Sequence, residues 1–392
     1  MISVDEARAR ILAAMGPVGA ETVALGVAAG RVLAAPVLAR LTQPPADVSA
    51  MDGYALRAAD GVAGGRLRVI GAAPAGHPFG GVVGPGEAVR LFTGSFLPAG
   101  ADTVLLQEDA AADGDAVIVN EACVAGKHVR PRGQDFVAGE VLIPAGQRLS
   151  PRDIGLAAAG NHPWLSVYRR PRVAILATGD EISLPGEAIG AGGIVSSNAH
   201  ALAAFVAQTG GEAVVLPIAA DSLAAMAAGA DAAKGADLLV TTGGASVGDH
   251  DLVQAGLAAR GLTLDFWKIA MRPGKPLIFG RLSGMPVLGL PGNPVSAFVC
   301  ALLFLGPAIA RLSGLPGVAP AVERAVLGAA LKPNDQREDY VRADLADGVV
   351  TPFAKQDSGM LKTLARATAL IKRPAFDPAR AVGDAVEVIR LD

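Results

Sequence analysis

The chain is poor in the residues that build metal cages, disulfide frameworks and nucleic-acid surfaces. Only two cysteines, Cys123 and Cys300, occur among 392 residues. They are far apart and neither has a CxxC partner, so ligand count excludes a Cys₄ or Cys₂His₂ zinc site. Two buried thiols in a reducing compartment are the simpler reading. The five histidines, His77, His128, His162, His200 and His250, lack HxxxH spacing, which favours structural or surface roles. Aromatic residues make up 4% and the formal net charge is −3. A nucleic-acid-binding chain would carry a basic surplus, so no nucleic-acid partner is expected. The longest apolar run, Ala297 to Ala310, is interrupted by Gly306-Pro307. It falls short of the roughly 20 residues that span a bilayer, which predicts a buried helix and no membrane partner. Ser3 and Glu6 read as a capping box with Asp5 in the first turn, whereas a secretory leader wants early positive charge. A cytoplasmic protein is the expectation. No Walker A loop, Gly-x-Ser-x-Gly elbow or full dinucleotide fingerprint is present.

What is present is abundant apolar material, 51% hydrophobic, enough for several cores in about two to four domains. Residues 1–170 read as an N-terminal linker and β-rich region, opening with a helix over 4–15. Within it, residues 55–143 alternate short β-like runs with Gly and Pro, suggesting an inserted β-rich module. Ser150 and Pro151 predict a short capped helix. Residues 171–313 alternate apolar strands with helices, the pattern of an α/β domain whose parallel-rich sheet is covered on both faces. Residues 318–392 return to short strands and suggest a small C-terminal β-barrel. The fold class is thus α/β multidomain.

The most informative stretch is Thr241-Thr242-Gly243-Gly244-Ala245-Ser246-Val247-Gly248-Asp249-His250-Asp251. It lies between a predicted strand and a predicted helix. Free N–H groups at a helix start favour an anion, and glycines let backbone approach a phosphate closely. Ser246 adds a hydroxyl donor. Asp249 and Asp251 oppose an anion unless a cation sits between them, so the loop suggests metal plus phosphate. A plain turn with a carboxylate cap is the bland alternative.

In an open α/β sheet, ligands sit beyond the carboxyl ends of the strands. Thr178-Gly179-Asp180-Glu181, Asp221, the Gly-rich loop and Pro291-Gly292-Asn293-Pro294 all fall at such ends. Glu181, Asp221, Asp249 and Asp251 supply oxygen ligands for a hard divalent ion. Asp221 could instead cap the helix that follows, and Asn293 reads as the cap of the last helix of the domain. Lys268, Arg272 and Lys275 form a cationic cluster suited to phosphate, with a solvated face as the alternative.

A second segment, Ser49-Ala50-Met51-Asp52-Gly53-Tyr54-Ala55, lies far upstream. Together with the Gly-rich loop it resembles the molybdopterin molybdenumtransferase family, which includes bacterial MoeA and the C-terminal domain of gephyrin. Further matches follow in order: Thr93-Gly94, Arg132-Gly133-Gln134-Asp135, Thr178-Gly179-Asp180-Glu181, Pro273-Gly274-Lys275-Pro276 and Leu290-Pro291-Gly292-Asn293-Pro294-Val295-Ser296. The resemblance implies that molybdate is inserted into adenylylated molybdopterin with release of AMP. It implies Mg²⁺ on Glu181, Asp221 and Asp251. It also implies a homodimer in which Asp52, Thr93 and Asp135 complete the site of the neighbouring subunit. Asp52, Asp135, Glu181, Asp221 and Asp251 are the expected catalytic group. Thr93, Thr178, Gly243, Gly244, Ser246, Lys268, Arg272, Lys275, Pro291 and Pro294 are expected to bind substrate. Arg342 and Ser358 resemble the positions that line the metal-oxyanion pocket. Arg272 stands where the family commonly carries lysine. Other molybdopterin-pathway enzymes and molybdoenzymes are possible partners. A molybdopterin adenylyltransferase is the rival enzyme, disfavoured by the Met51–Ala55 half, and a gephyrin-like scaffold is the rival from another class.

Overall fold

The computed structural model describes residues 1–243 and 252–391, excluding the side chains of 252–254. The opening helix, Val4–Ala13, is capped by Ser3, whose side chain accepts from the Glu6 backbone. Its buried stripe is Val4, Ala7 and Ile11. This stripe packs into the core of the α/β domain, beside Ile269, Leu305 and Ile309, rather than into the N-terminal region where sequence order puts it.

The rest of the N-terminal region is a connector threaded twice. Ala20–Ala24 pairs with Trp164–Tyr168, Val37–Leu38 with Val141–Ile143, and Val48–Ser49 with Val129–Arg130, all antiparallel. Leu33, Ile143, Leu149, Leu165 and Val167 form its core. The connector holds out a six-stranded sheet. Its order runs Thr103–Leu106, Gly53–Leu56, Glu87–Leu91, Arg66–Ala73, Ala116–Val119, Ala110–Asp113. Alternate residues feed two cores, one with Ala55, Val89 and Val104, the other with Leu56, Leu105 and Val117. The sheet therefore ends at Val119. The expected module boundary of 143 is too late, because 129–143 pairs back onto the connector. Gly53 is required where it stands: a Cβ there would sit 2.0 Å from the Leu105 carbonyl oxygen.

The central domain carries a six-stranded sheet in the order Glu212–Val215, Arg172–Ala177, Leu238–Thr242, Met285–Leu290, Ile278–Leu282, Leu262–Phe266. The first four are parallel, and the last two add by antiparallel pairing. Ala177, Thr242 and Leu290 lie in register at the carboxyl edge. Val173, Ile175, Val240 and Leu288 face one core, and Ala174, Leu176, Leu239 and Val287 the other. Helices Asn198–Gln208, Leu223–Ala232 and Leu252–Ala258 make the crossovers.

Pro294–Leu312 is one continuous 19-residue helix, long and apolar enough to cross a membrane, but 72% of its apolar window is buried in this core. Gly306-Pro307 does not interrupt it as the sequence suggested. Ala301–Leu305 forms a π-helical turn just before Pro307. The wider turn accommodates a residue with no N–H.

The C-terminal domain closes into a five-stranded barrel. Glu338–Ala346 pairs with both Val349–Pro352 and Ala369–Arg373, while Glu323–Leu327 and Ala385–Arg390 complete the ring. Closure removes the exposed edges that a small sheet would otherwise present. One buried ion cluster braces it. Asp377 accepts from Arg373 Nε at 2.9 Å and from Arg380, while Arg373 also donates to the Lys332 and Pro378 carbonyls. Burial disfavours the Asp377 anion, but the two arginines outweigh it and its carboxyl sits below the usual range. Asp377→Asn should therefore cost about 3 kcal/mol at pH 7, since the buried Arg373 loses its counter-charge and the partly exposed Arg380 its partner. With the folded-state pKa depressed, this stability is present above the unfolded value near 3.9. It is lost as pH falls through the folded one. Urea unfolding at neutral pH and in acid should show the gap between the two proteins closing on acidification.

Candidate active site

A cavity of about 710 Å³ opens at the carboxyl edge of the central sheet. Its walls come from three loops that the parallel register brings together and a fourth from the barrel. Thr178 and Glu181 follow Ala177, and Gly243 follows Thr242. Pro291, Asn293 and Pro294 follow Leu290, and Gly359 and Leu361 arrive from the barrel. Thr178 continues the sheet by bridging Ala219, and its N–H donates to the Thr242 carbonyl at 3.1 Å. Its hydroxyl is buried, and no hydrogen-bond partner for it lies among the described residues.

Gly243 has φ +93°, and a Cβ there would stand 2.5 Å from the Thr178 carbonyl oxygen. Only glycine allows this crossing of two strand ends. Gly179 does the same for Glu181, whose carboxylate folds back over it. Asp180 Oδ1 accepts from the Asp221 backbone at 2.9 Å, which ties the Thr178–Glu181 loop to Asp221. Asp221 is not the helix cap. Ser222 takes that place and accepts from Ala225 N–H. Gly244, Ser246 and Asp251, with Asp249 and His250, lie outside the described residues. Among the described residues no group of three or more His, Cys, Asp or Glu side chains comes together to hold a metal ion.

Among the wall residues given no role from sequence, Asn198 and Ser296 stand out. Asn198, at the start of its helix, donates through Nδ2 to Thr242 Oγ1 at 2.8 Å and to the Gly292 carbonyl at 2.7 Å. It pins the strand end to the Pro291–Pro294 turn. Ser296 is buried in the Pro294 helix and lines the cavity. Ser296 closes the Leu290–Ser296 motif, but a lone serine in an apolar helix carries no role of its own by pattern.

The cationic residues divide. Lys275 is exposed, and its neighbour Pro276 lines the cavity. Lys268 is not in the wall; its ammonium lies 3.8 Å from the Trp267 ring centroid. Arg272 is engaged by the barrel, pairing with Asp339 and, at 3.4 Å, with Asp335. Arg342, expected to face substrate, is buried at 1% exposure. Its guanidinium donates to the Asp357 carbonyl at 2.9 Å and the Met360 carbonyl at 3.2 Å. It braces the turn at Ser358-Gly359, donating to the carbonyls of the residues on either side. Ser358 Oγ accepts from Asn293 Nδ2 at 2.8 Å.

The N-terminal residues form a separate group. Asp52 Oδ1 accepts from Thr93 N–H at 2.7 Å and Thr93 Oγ1 at 2.8 Å. The Thr93 backbone bond, then its hydroxyl, hold the Asp52 carboxyl below its ordinary value. Asp135 is exposed on the loop that packs against the 43–47 connector, its N–H donating to the Gln43 carbonyl. None of these lines the cavity of its own chain, whose walls run from Ala177 to Leu361.

Comparison with known proteins covers all three regions. Residues 2–160 match the MoeA N-terminal region, domains I and II. Residues 174–311 match the probable molybdopterin binding domain, and 324–391 the MoeA C-terminal region, domain IV. The chain is 37% identical over 387 residues to the molybdopterin molybdenumtransferase of Nostoc sp., covering 95% of this chain and 88% of that one. The chain belongs to the MoeA family. A second relative, molybdopterin molybdenumtransferase 2 of Mycobacterium tuberculosis, is 36% identical over 367 residues, 90% of each chain. The crystal structure of the molybdopterin biosynthesis MoeA protein from Pyrococcus horikoshii OT3 superposes with a TM-score of 0.86 at 27% identity, covering 100% of both chains. The architecture of this MoeA-family chain therefore extends over its whole length, barrel included.

Proposed function

We propose that the protein is a molybdopterin molybdenumtransferase, which inserts molybdate into adenylylated molybdopterin and releases AMP. The observation that carries this is the cavity at the carboxyl sheet edge, where the Thr178, Gly243 and Pro291 loops meet a barrel loop. Two anions must be held together there, so cations must offset their repulsion. Lys275 would do so in this reading; it is exposed, and its neighbour Pro276 lines the cavity. The Thr178 hydroxyl offers a further polar contact. Glu181 in the wall and Asp221 beside its loop are hard oxygen donors, which fit Mg²⁺. Asp251 would be the third ligand. Such a cation would supply charge neutralisation at the adenylate phosphate. Asp52, Thr93 and Asp135 act, in this reading, on the cavity of a second subunit. Met51, Phe92 and Phe96, exposed around Asp52, give that group an apolar rim suited to contact. A cytoplasmic setting goes with this role, and downstream molybdoenzymes are the natural recipients. The matched N- and C-terminal regions disfavour a lone adenylyltransferase domain.

Purified protein mixed with adenylylated molybdopterin, molybdate and magnesium should release AMP in step with molybdenum capture. No AMP under those conditions would refute the assignment. Lys275→Ala should weaken binding of adenylylated molybdopterin by about three- to tenfold at low ionic strength. The difference should shrink as salt screens the exposed contact. Equal dissociation constants at low salt would remove Lys275 from the phosphate site.

A further inference from the structure

Asn293 occupies the N-cap position of the helix that starts at Pro294, yet its side chain makes no capping bond. The barrel supplies the acceptor instead: Val295 N–H donates to the Ser358 carbonyl at 3.1 Å. The Asn293 side chain is thereby released from capping, and its Nδ2 donates to the Ser358 hydroxyl oxygen at 2.8 Å. Ser358 itself is held in place. Arg342 grips the Asp357 and Met360 carbonyls on either side, and Gly359 N–H donates to Asp357 Oδ1 at 2.8 Å. Asn293 and Gly359 both line the cavity.

A hydroxyl is ambivalent, with one hydrogen to give and lone pairs to receive. An amide NH₂ can only donate. Once it donates to Ser358 Oγ, the hydroxyl hydrogen must point elsewhere, and the cavity lined by the neighbouring Asn293 and Gly359 is the space a ligand would take. A tetrahedral oxyanion such as molybdate accepts hydrogen bonds and offers none.

We propose that Asn293 is a positioning residue that fixes Ser358 as a hydrogen-bond donor toward the oxyanion substrate. The inference rests on the reading of Ser358 as a molybdate contact and goes beyond it. It assigns the proton direction of a barrel side chain to an asparagine of the α/β domain. It also predicts an ordering that packing alone would not produce. Aspartate at 293 is nearly isosteric with asparagine, so a packing role is kept. Its carboxylate would, however, accept the Ser358 proton and turn the hydroxyl's lone pairs toward the ligand.

The test is calorimetric titration of molybdate, with thermal unfolding as the control for folding. S358A should weaken binding about tenfold or more, the loss of a charge-assisted hydrogen bond. N293A should weaken it about three- to fivefold, because the hydroxyl is released but not reversed. N293D should weaken it more than N293A does. In the S358A background N293A should have no further effect, and N293D should keep only the part due to its charge. Wild-type affinity in S358A would overturn the reading of Ser358 itself. Loss in S358A with N293A and N293D both like wild type would overturn the role of Asn293. Binding by N293D as good as or better than by N293A would reduce Asn293 to packing.

Discussion

Glu181→Gln is expected to slow AMP release by about two to three orders of magnitude while the protein stays folded. The geometry gives both halves of that statement. The carboxylate lies in the cavity wall and covers Gly179, where φ is +139°. The amide is the same size and can lie over Gly179 in the same way. What it lacks is the negative charge that would hold a cation against the adenylate phosphate. Such a cation supplies several kcal/mol of charge stabilisation, and about 1.4 kcal/mol corresponds to a factor of ten. The loss should appear in single-turnover AMP release. High magnesium should restore part of it, since weaker binding is compensated by concentration. Near-wild-type turnover in the folded glutamine variant would remove Glu181 from the reaction.

The parallel sheet was readable because strand and helix periods differ and because open sheets collect ligands at one edge. That rule alone brings Thr178, Glu181, Gly243 and Pro291 into one wall. The rest depended on tertiary contacts with no local signature. Asp221-Ser222 reads as two equivalent caps, and only the helix start selects Ser222. Arg342 is expected in the oxyanion pocket by resemblance, but the 357–360 loop folds over it and burial makes its guanidinium a structural donor. Arg272 and Lys268 share a cluster with Lys275 in sequence. The Asp335 and Asp339 carboxylates draw off the first, and the Trp267 ring takes the second. The opening helix was assigned its type correctly, but its position was not legible. Nothing in Val4, Ala7 and Ile11 says which of two cores they join. Boundaries of the inserted module failed for the same reason, since 129–143 looks as β-like as 87–106 and pairs with different partners.

Mixing two inactive variants, Asp52→Ala and Glu181→Ala, is expected to restore activity to about a quarter of wild type. The expectation follows from where the two groups stand. Asp52 and Thr93 form one hydrogen-bonded unit on the N-terminal module, and that unit contributes nothing to the wall of its own chain's cavity. The Thr93 backbone N–H, then its hydroxyl, hold this carboxyl below its ordinary value, which favours the anion. If it acts on the cavity of a second copy, a two-fold dimer contains two sites, each built from both chains. A mixed dimer then holds one site lacking both carboxylates and one site with neither lesion. Random exchange makes about half the dimers mixed, and one of two sites in each is intact. The control is light scattering or mass measurement that proves exchange. Proven exchange with no recovered activity would place Asp52 and Glu181 in the same site of the same chain, and the closed barrel and connector would then have to move to bring them together.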